Sequence, residues 1–371
     1  ARLAHWAEQK PESAALIEMR SGRQRTFKEL EQDSSRLASG LIQFGMKPGE
    51  RALLMVPYGI DFVTLTFAMF KAGLVPVLID PGLGKKNVLK CIKQVQPHGM
   101  IAVPLAHAIK KVFPSTFKSI QHNVTVGSSW FWGGITLNKL HDSGKADFKM
   151  AVMEKNHPAA ILFTSGSTGP AKGVLFSHDI FNHQVRILQE QFNITPDETE
   201  LPTFPLFGLF SIGLGITSII PEMDATKPAR VDPKNIIDPI QNYKISSSFG
   251  SPALWDTVSQ YCLSQNIQLP SLKRIIMAGA PVSGDLLARF ENIIDKNCKV
   301  YTPYGATEIL PVSLIERREI LDETWSLSNQ GKGTCVGYPI PGVEIKIIEI
   351  TDQPILNWQD VTELGANIVG E

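Results

Sequence analysis

The sequence predicts an α/β protein: two doubly wound, mostly parallel sheet subdomains, followed by the start of a small β-rich subdomain. Three observations lead there. Short apolar runs of strand length alternate with stretches of helix length, the pattern of parallel strands joined by helical crossovers. The alternation occurs twice, so the expected units are 1–155, 156–320 and 321–371. The 371 residues exceed what one small core needs and suffice for two or three packed units.

Residues 6–18 read as a short helix running into a strand. Thr26 is a candidate N-cap with Glu29 at the capping-box position, and Leu30, Leu37, Leu41 and Ile42 give the following helix one apolar face. Gly45-Met46-Lys47-Pro48-Gly49 ends it. The reading continues as strand 51–56, helix 62–70, strand 74–79, helix 85–95 and strand 100–103, with a last short strand at 122–126. Tyr58, Lys71 and Asp80 fall near element ends, where α/β clefts form, and each is expected to be structural. The aromatic loop 128–134 is expected to plug the first unit rather than line a groove, and 142–147 reads as a surface linker. In the second unit 178–192 is amphipathic, and Ser248 to Trp255 ends a strand and starts a helix, with Pro252 at the first helical position. Ile275 to Pro281 is a buried strand ending in a turn. Residues 343–350 read as a strand.

Composition narrows the partners. Hydrophobic residues make up 43% and charged residues 19%, ordinary for a globular enzyme. Lys+Arg 36 balances Asp+Glu 36, which argues against nucleic acid as the main partner while leaving room for a local basic patch. No apolar run reaches the length of a membrane span, and the first residues do not form a signal peptide. Cys91, Cys262, Cys298 and Cys335 are far apart and lack the C-x-x-C spacing of zinc or redox sites, so buried free thiols in a reducing cytoplasm are expected.

One stretch stands out chemically. Apolar residues 159–163 lead into Thr164-Ser165-Gly166-Ser167-Thr168-Gly169-Pro170-Ala171-Lys172-Gly173, and 174–176 lead out. Glycines let backbone N–H groups approach an anion without a Cβ in the way. The four hydroxyls can donate to phosphate oxygens and Lys172 adds a point charge. A plain Gly/Ser surface turn is the ordinary alternative. The loop is neither a Walker A sequence nor a G-x-G-x-x-G fingerprint. A second stretch, 201–210, sets prolines among Phe204, Phe207 and Phe210 beside Gly208. So much apolar surface suits the wall of a substrate channel; packing against a neighbouring helix is the alternative.

The order of residues 163–173 resembles the phosphate loop of the adenylate-forming superfamily, which contains acyl-CoA synthetases, luciferases and peptide-synthetase adenylation domains. The resemblance extends over essentially the whole chain. It implies the AMP-binding N-terminal domain of an ATP-dependent, AMP-forming ligase that uses Mg²⁺. Gly279-Ala280-Pro281 would then lie against the adenine. In Tyr304-Gly305-Ala306-Thr307-Glu308, Tyr304 can stack on the purine and Thr307 can donate to the α-phosphate. Glu308, with Thr168, can hold Mg²⁺. Phe249, Gly250 and Ser251 would belong to the acyl pocket. Lys172, Thr307 and Glu308 are the expected catalytic residues. The family continues past a Gly-Glu pair like Gly370-Glu371 to a ribose-holding aspartate and a small mobile C-terminal domain with a second lysine. That mobile C-terminal domain is absent from this sequence, so a truncated chain is expected.

Finer wording narrows the match. Val77 to Gly82, Leu201 to Pro205, Ile220 to Asp224, Thr302 to Glu308 and Gly333 to Gly337 are similar to the olefin-biosynthesis branch of β-lactone synthetases. That branch adenylates a 2-alkyl-3-hydroxy fatty acid, and the 3-hydroxyl displaces AMP. Many acyl-CoA synthetases place a histidine near Gly208 and this chain does not, which suits a product other than a thioester. The alternatives are a fatty-acyl-CoA or fatty-acyl-AMP ligase, with CoA as a further substrate, and an adenylation domain loading a carrier protein. No aspartate lies between Phe249 and Trp255 to hold an amino group, which argues against an amino-acid substrate. A catalytically silent nucleotide-binding module is a further alternative, against which Lys172, Thr307 and Glu308 stand. The expected partners are a long-chain carboxylic acid and, in the cytoplasm, other enzymes of the same route or a carrier protein.

Overall fold

Two seven-stranded sheets, each wrapped by helices, carry a small antiparallel sheet at one end. The computed structural model describes residues 2–154, 156–163, 171–366 and 368–370. The chain opens with α1 (Arg2–Gln9), β1 (Ala14–Glu18), β2 (Gln24–Thr26) and α2 (Phe27–Gln43). The expected capping box forms at α2. Thr26 Oγ1 accepts from the Glu29 N–H at 3.1 Å, and the Glu29 carboxylate accepts from the Thr26 N–H at 2.8 Å. Phe27, Leu30, Leu37 and Leu41 are buried beneath it.

The first sheet is built from β3 (Arg51–Met55), α3 (Ile60–Lys71), β4 (Val75–Ile79), α4 (Lys85–Val95), β5 (Gly99–Ala102), α5 (Pro104–Val112), β6 (His122–Thr125), β7 (Ile135–Thr136), α6 (Leu137–Ser143), β8 (Pro158–Phe163) and β9 (Gly173–Ser177). Its order is β7-β6-β5-β3-β4-β8-β9, and only β9 runs antiparallel. α2, α3 and α6 pack on one face, over a core containing Leu65, Met69 and Leu140. α4 and α5 cover the other, over Cys91, Ile92, Met100 and Ala106.

The second sheet follows from α7 (His178–Phe192), β10 (Thr199–Pro202), α8 (Pro205–Leu214), β11 (Thr217–Ile220), α9 (Lys234–Asn242), β12 (Ser247–Gly250), α10 (Pro252–Ser264), β13 (Arg274–Met277), α11 (Gly284–Arg289) and β14 (Lys299–Tyr301). Its order is β14-β13-β12-β10-β11-β1-β2, with β2 alone antiparallel. The third sheet joins β15 (Tyr304–Ala306), β16 (Ile309–Leu314) and β17 (Tyr338–Pro339).

The sheets do not divide at residue 155. β8 and β9 extend the first sheet, and β1 and β2 extend the second. β8 is apolar throughout and its neighbour β4 is equally apolar, so their pairing buries both faces of each strand. In stretch 201–210, Pro202 ends β10, and Pro205 opens α8 at a position where its missing N–H costs nothing. Two other expectations change. Residues 343–350 form no strand, and Ile348 makes a single bridge to Glu363 among the described residues. Ile345, Ile347 and Ile350 stay exposed there, without a partner face to bury them. In the aromatic loop only Trp132 plugs the domain. Its ring stacks on His107, and its indole N–H donates to Thr125 Oγ1 at 2.9 Å, while Trp130 and Phe131 are exposed.

Tyr58, Lys71 and Asp80 have structural contacts. Lys71 is buried between Glu31 and Ser35, Asp80 caps the turn at Gly82, and Tyr58 packs on α8. Three cysteines are buried as expected, while Cys335 is exposed.

Candidate functional site

Parallel α/β sheets bind ligands outside the carboxyl ends of their strands, where the winding direction reverses. In the second sheet β10 connects to β11 on one side and β11 crosses back to β12 on the other, so the reversal lies between β10 and β12. The candidate residues of this half sit along that edge. Phe204 and Phe207 follow β10, Phe249 to Ser251 end β12, Gly279 to Pro281 follow β13, and Tyr304 to Glu308 follow β14.

The floor of the crevice is apolar. Phe207 and Phe249 stack with ring centroids 3.3 Å apart and an interplanar angle of 11°. They share a cluster with Ile276, Ala278 and Tyr301, so four neighbouring strand ends meet in one packing unit. Phe204, at the mouth, is half-exposed. Gly250 is held to glycine by packing: a Cβ there would lie 2.8 Å from Trp255 Nε1. Ser251 caps α10, its Oγ accepting from the Leu254 N–H at 3.2 Å.

The rim is polar and open. Gly279 has φ +97°, a backbone conformation that excludes most side chains, and Ala280 and Pro281 beyond it are exposed. Tyr304 is 53% exposed. The stretch expected as a strand-ending turn is a β-hairpin. Ala306 pairs with Ile309, and Thr307 and Glu308 form the tip between them. A Cβ on Gly305 would come within 2.7 Å of the Ile309 carbonyl, so the hairpin itself requires glycine. Glu308 is exposed and in no ion pair among the described residues. A free carboxylate on a fixed turn suits the oxygen-ligand chemistry of Mg²⁺. No cluster of three metal-ligating side chains occurs among the described residues.

Thr164, Ser165, Gly166, Ser167, Thr168 and Gly169 lie outside the described residues. Their stem is described: Phe163 at the end of β8 pairs with Gly173 at the start of β9. A Cβ on Gly173 would sit 2.7 Å from the Phe163 ring, so this glycine serves packing. Lys172, beside it, is exposed.

A buried polar group between the two sheets was not anticipated. Tyr58, after β3, presents its hydroxyl to Gly208 of α8, leaving no room for a Cβ. Ser218 and the Glu200 carboxylate are polar neighbours of Tyr58, yet neither the Tyr58 nor the Ser218 hydroxyl is in a well-formed hydrogen bond. Burial raises the Tyr58 phenol above its usual range. Glu200 accepts from Ser211 Oγ at 2.5 Å, and burial pushes its carboxyl up to about 7. Glu198 nearby pairs with Arg274 at 2.5 Å, and Arg274 also donates to the Phe192 carbonyl at 2.9 Å. The signal was present in the sequence: a glutamate inside Thr-Glu-Leu-Pro and an arginine opening Arg-Ile-Ile-Met are charges in strands that are otherwise buried.

The chain belongs to the AMP-binding enzyme family, whose model matches residues 3–362. It is 41% identical over 347 residues to an olefin beta-lactone synthetase of Xanthomonas campestris, covering 93% of this chain and 61% of that protein. It is 40% identical over 346 residues to the Stenotrophomonas maltophilia protein of the same name, covering 93% and 62%. The chain therefore spans about three fifths of these relatives. Among solved structures it is similar to a long-chain-fatty-acid-CoA ligase from Archaeoglobus fulgidus. There the TM-score is 0.80 at 22% identity, covering 99% of this chain and 72% of that one, and the likeness supports the fold.

Proposed function

We propose that this chain carries the nucleotide and acyl sites of an ATP-dependent ligase that joins a long-chain carboxylic acid to AMP. The observation that carries the reading is the meeting of Phe207, Phe249, Ala278 and Tyr301 at one carboxyl edge, with Glu308 on the rim above them. An apolar tail would enter past Phe204 toward the Phe207–Phe249 stack. The carboxylate oxygen attacks the α-phosphorus of ATP, a P–O bond breaks and pyrophosphate leaves. Catalysis is then mostly positioning and charge stabilisation. Lys172 and Thr307 would stabilise the phosphoryl oxygens, Tyr304 and the Gly279–Pro281 turn would hold the purine, and Glu308 with Thr168 would hold Mg²⁺. The metal, when bound, supplies positive charge to the phosphates.

The β-lactone step is proposed from the likeness to the two olefin beta-lactone synthetases. On an acyl-AMP with a 3-hydroxyl, that oxygen attacks the acyl carbon, loses its proton and displaces AMP. Gly208 supports a product made without a thiol, since the Tyr58 hydroxyl occupies the space a histidine side chain would need.

The test uses a protein extended to the full length of its relatives. It is incubated with ATP, Mg²⁺ and a 2-alkyl-3-hydroxy fatty acid, and in parallel with a plain fatty acid and CoA. The expected products are AMP, pyrophosphate and a species one water lighter than the hydroxy acid. A thioester from the plain acid, with no lactone, would return the protein to the CoA ligases, and an adenylate that goes no further would point to a carrier protein.

A further inference from the structure

The outer face of the first sheet carries a charge that the rest of the chain does not share. Between Asp80 and Asp142 there is no aspartate or glutamate, while 85–118 hold seven lysines in a chain balanced 36 to 36. Lys85, Lys86, Lys90 and Lys93 are exposed on α4, Lys111 on α5 and Lys118 just beyond it. α4 and α5 cover the same side of the sheet. None of these lysines forms an ion pair among the described residues. Lysines on a helix are usually a solvated face, and alone they would mean little.

Large apolar side chains lie on α5 and on the loop packed against it. Leu105 is 71% exposed, Trp130 69% and Phe131 72%. The two rings are held against the protein rather than left on a loose loop. Trp130 stacks on Trp132 at 6.0 Å, and Phe131 meets Trp132 edge-on at 5.4 Å. Trp132 is fixed in turn by His107 of α5 and by Thr125. At the other end of α5, the Lys85 ammonium lies 4.9 Å from the Phe113 ring and ties α4 to it. An exposed apolar patch rimmed by one sign of charge marks an interaction surface. Aromatic rings settle at the headgroup level of a bilayer, and lysine stems reach from there to anionic groups.

We propose that this face docks the protein on an anionic phospholipid surface, with Trp130 and Phe131 at headgroup depth and the α4 and α5 lysines on the lipid anions. The inference stands apart from the adenylation reading and does not depend on it. Sedimentation with vesicles tests it, using phosphatidylcholine alone and phosphatidylcholine with about one third phosphatidylglycerol. Binding is expected only with the anionic vesicles. It should fall away near 1 M salt, where the Debye length shrinks to about 3 Å. Lys86→Glu/Lys90→Glu/Lys111→Glu and Trp130→Ala/Phe131→Ala should each lower the partition at least about tenfold, with the thermal transition unchanged. Absence of sedimentation with anionic vesicles, or variants that sediment like the parent, would overturn the proposal. So would loss in the lysine variant alone together with equal binding to soluble polyglutamate, which would assign the face to an acidic polypeptide.

Discussion

Glu308 stands exposed at the tip of the β15–β16 turn, so its charge holds nothing in place that the fold needs. Glu308→Gln keeps the shape and removes the charge. Its stability should change by less than about 0.5 kcal/mol, while pyrophosphate release should slow by roughly 10²–10³ if the carboxylate organises charge at the α-phosphate. A variant releasing pyrophosphate at the parent rate would remove Glu308 from the mechanism. Glu200 is the opposite case, a buried carboxyl raised to about 7. Between its unfolded value and about 7 the folded state binds the extra proton. Stability therefore falls as pH rises through that window and is flat above it. Glu200→Gln should remove this slope and raise the melting temperature at pH 8, as a thermal-melt series from pH 5 to 8 would show. An unchanged slope would assign it to another group. The tip carboxylate was legible because it stands in a recognisable run of residues. Glu200 stood out only as a charge in an otherwise apolar strand, because its neighbours come from α8 (Ser211), the paired strand β11 (Ser218) and the first sheet (Tyr58), none of which the local run Thr-Glu-Leu-Pro specifies.

At the scale of elements, apolar and amphipathic pattern counted for more than start signals: α3 and α4 lack a side-chain cap and were legible, whereas α6 and α11 carry one and were not. α2 opens on a complete capping box, and α4 and α7 carry clean amphipathic patterns. α8 hides behind two prolines and is apolar all round, because it is buried on nearly every side. α5 is short, opens on a proline and has no side-chain cap. The cost of placing α8 in the interior is visible at Gly208. Alanine there gains about 1 kcal/mol of helix propensity, but its Cβ meets the Tyr58 hydroxyl, and overpacking of this kind costs about 1–3 kcal/mol. The clash should win, so Gly208→Ala is expected to be destabilising in denaturant titration. Tyr58→Phe removes an oxygen that lacks a well-formed hydrogen bond and should be near neutral alone. Combined with Gly208→Ala it should recover part of the loss, because the ring carbon Cζ would still lie 2.9 Å from the new Cβ. A double variant no better than Gly208→Ala alone would refute this account of the glycine.

Across the whole molecule, the sheets trade strands between the two halves of the sequence, and this sets how it unfolds. β1 pairs with β11 through Leu16–Ser218, Ile17–Ile219 and Glu18–Ile220, and β4 pairs with β8 through Val77–Ile161, Leu78–Leu162 and Ile79–Phe163. The parallel pattern of each half was readable from local alternation. The exchange was not, because nothing within either strand states which distant strand it will join. A fragment 1–155 would keep β4 but lose β8, exposing an apolar strand edge, and would leave Leu16 without its sheet. A fragment 156–320 would lose β1 beside β11 and expose Ile219 and Ile220. Bare apolar edges of this kind promote association rather than folding. Each fragment expressed alone should therefore aggregate or lack a cooperative melt, whereas 2–320 should unfold in one transition by circular dichroism and tryptophan emission alike. Two soluble fragments, each with its own sharp transition, would mean that the exchanged strands contribute little and that the halves are separate folding units after all.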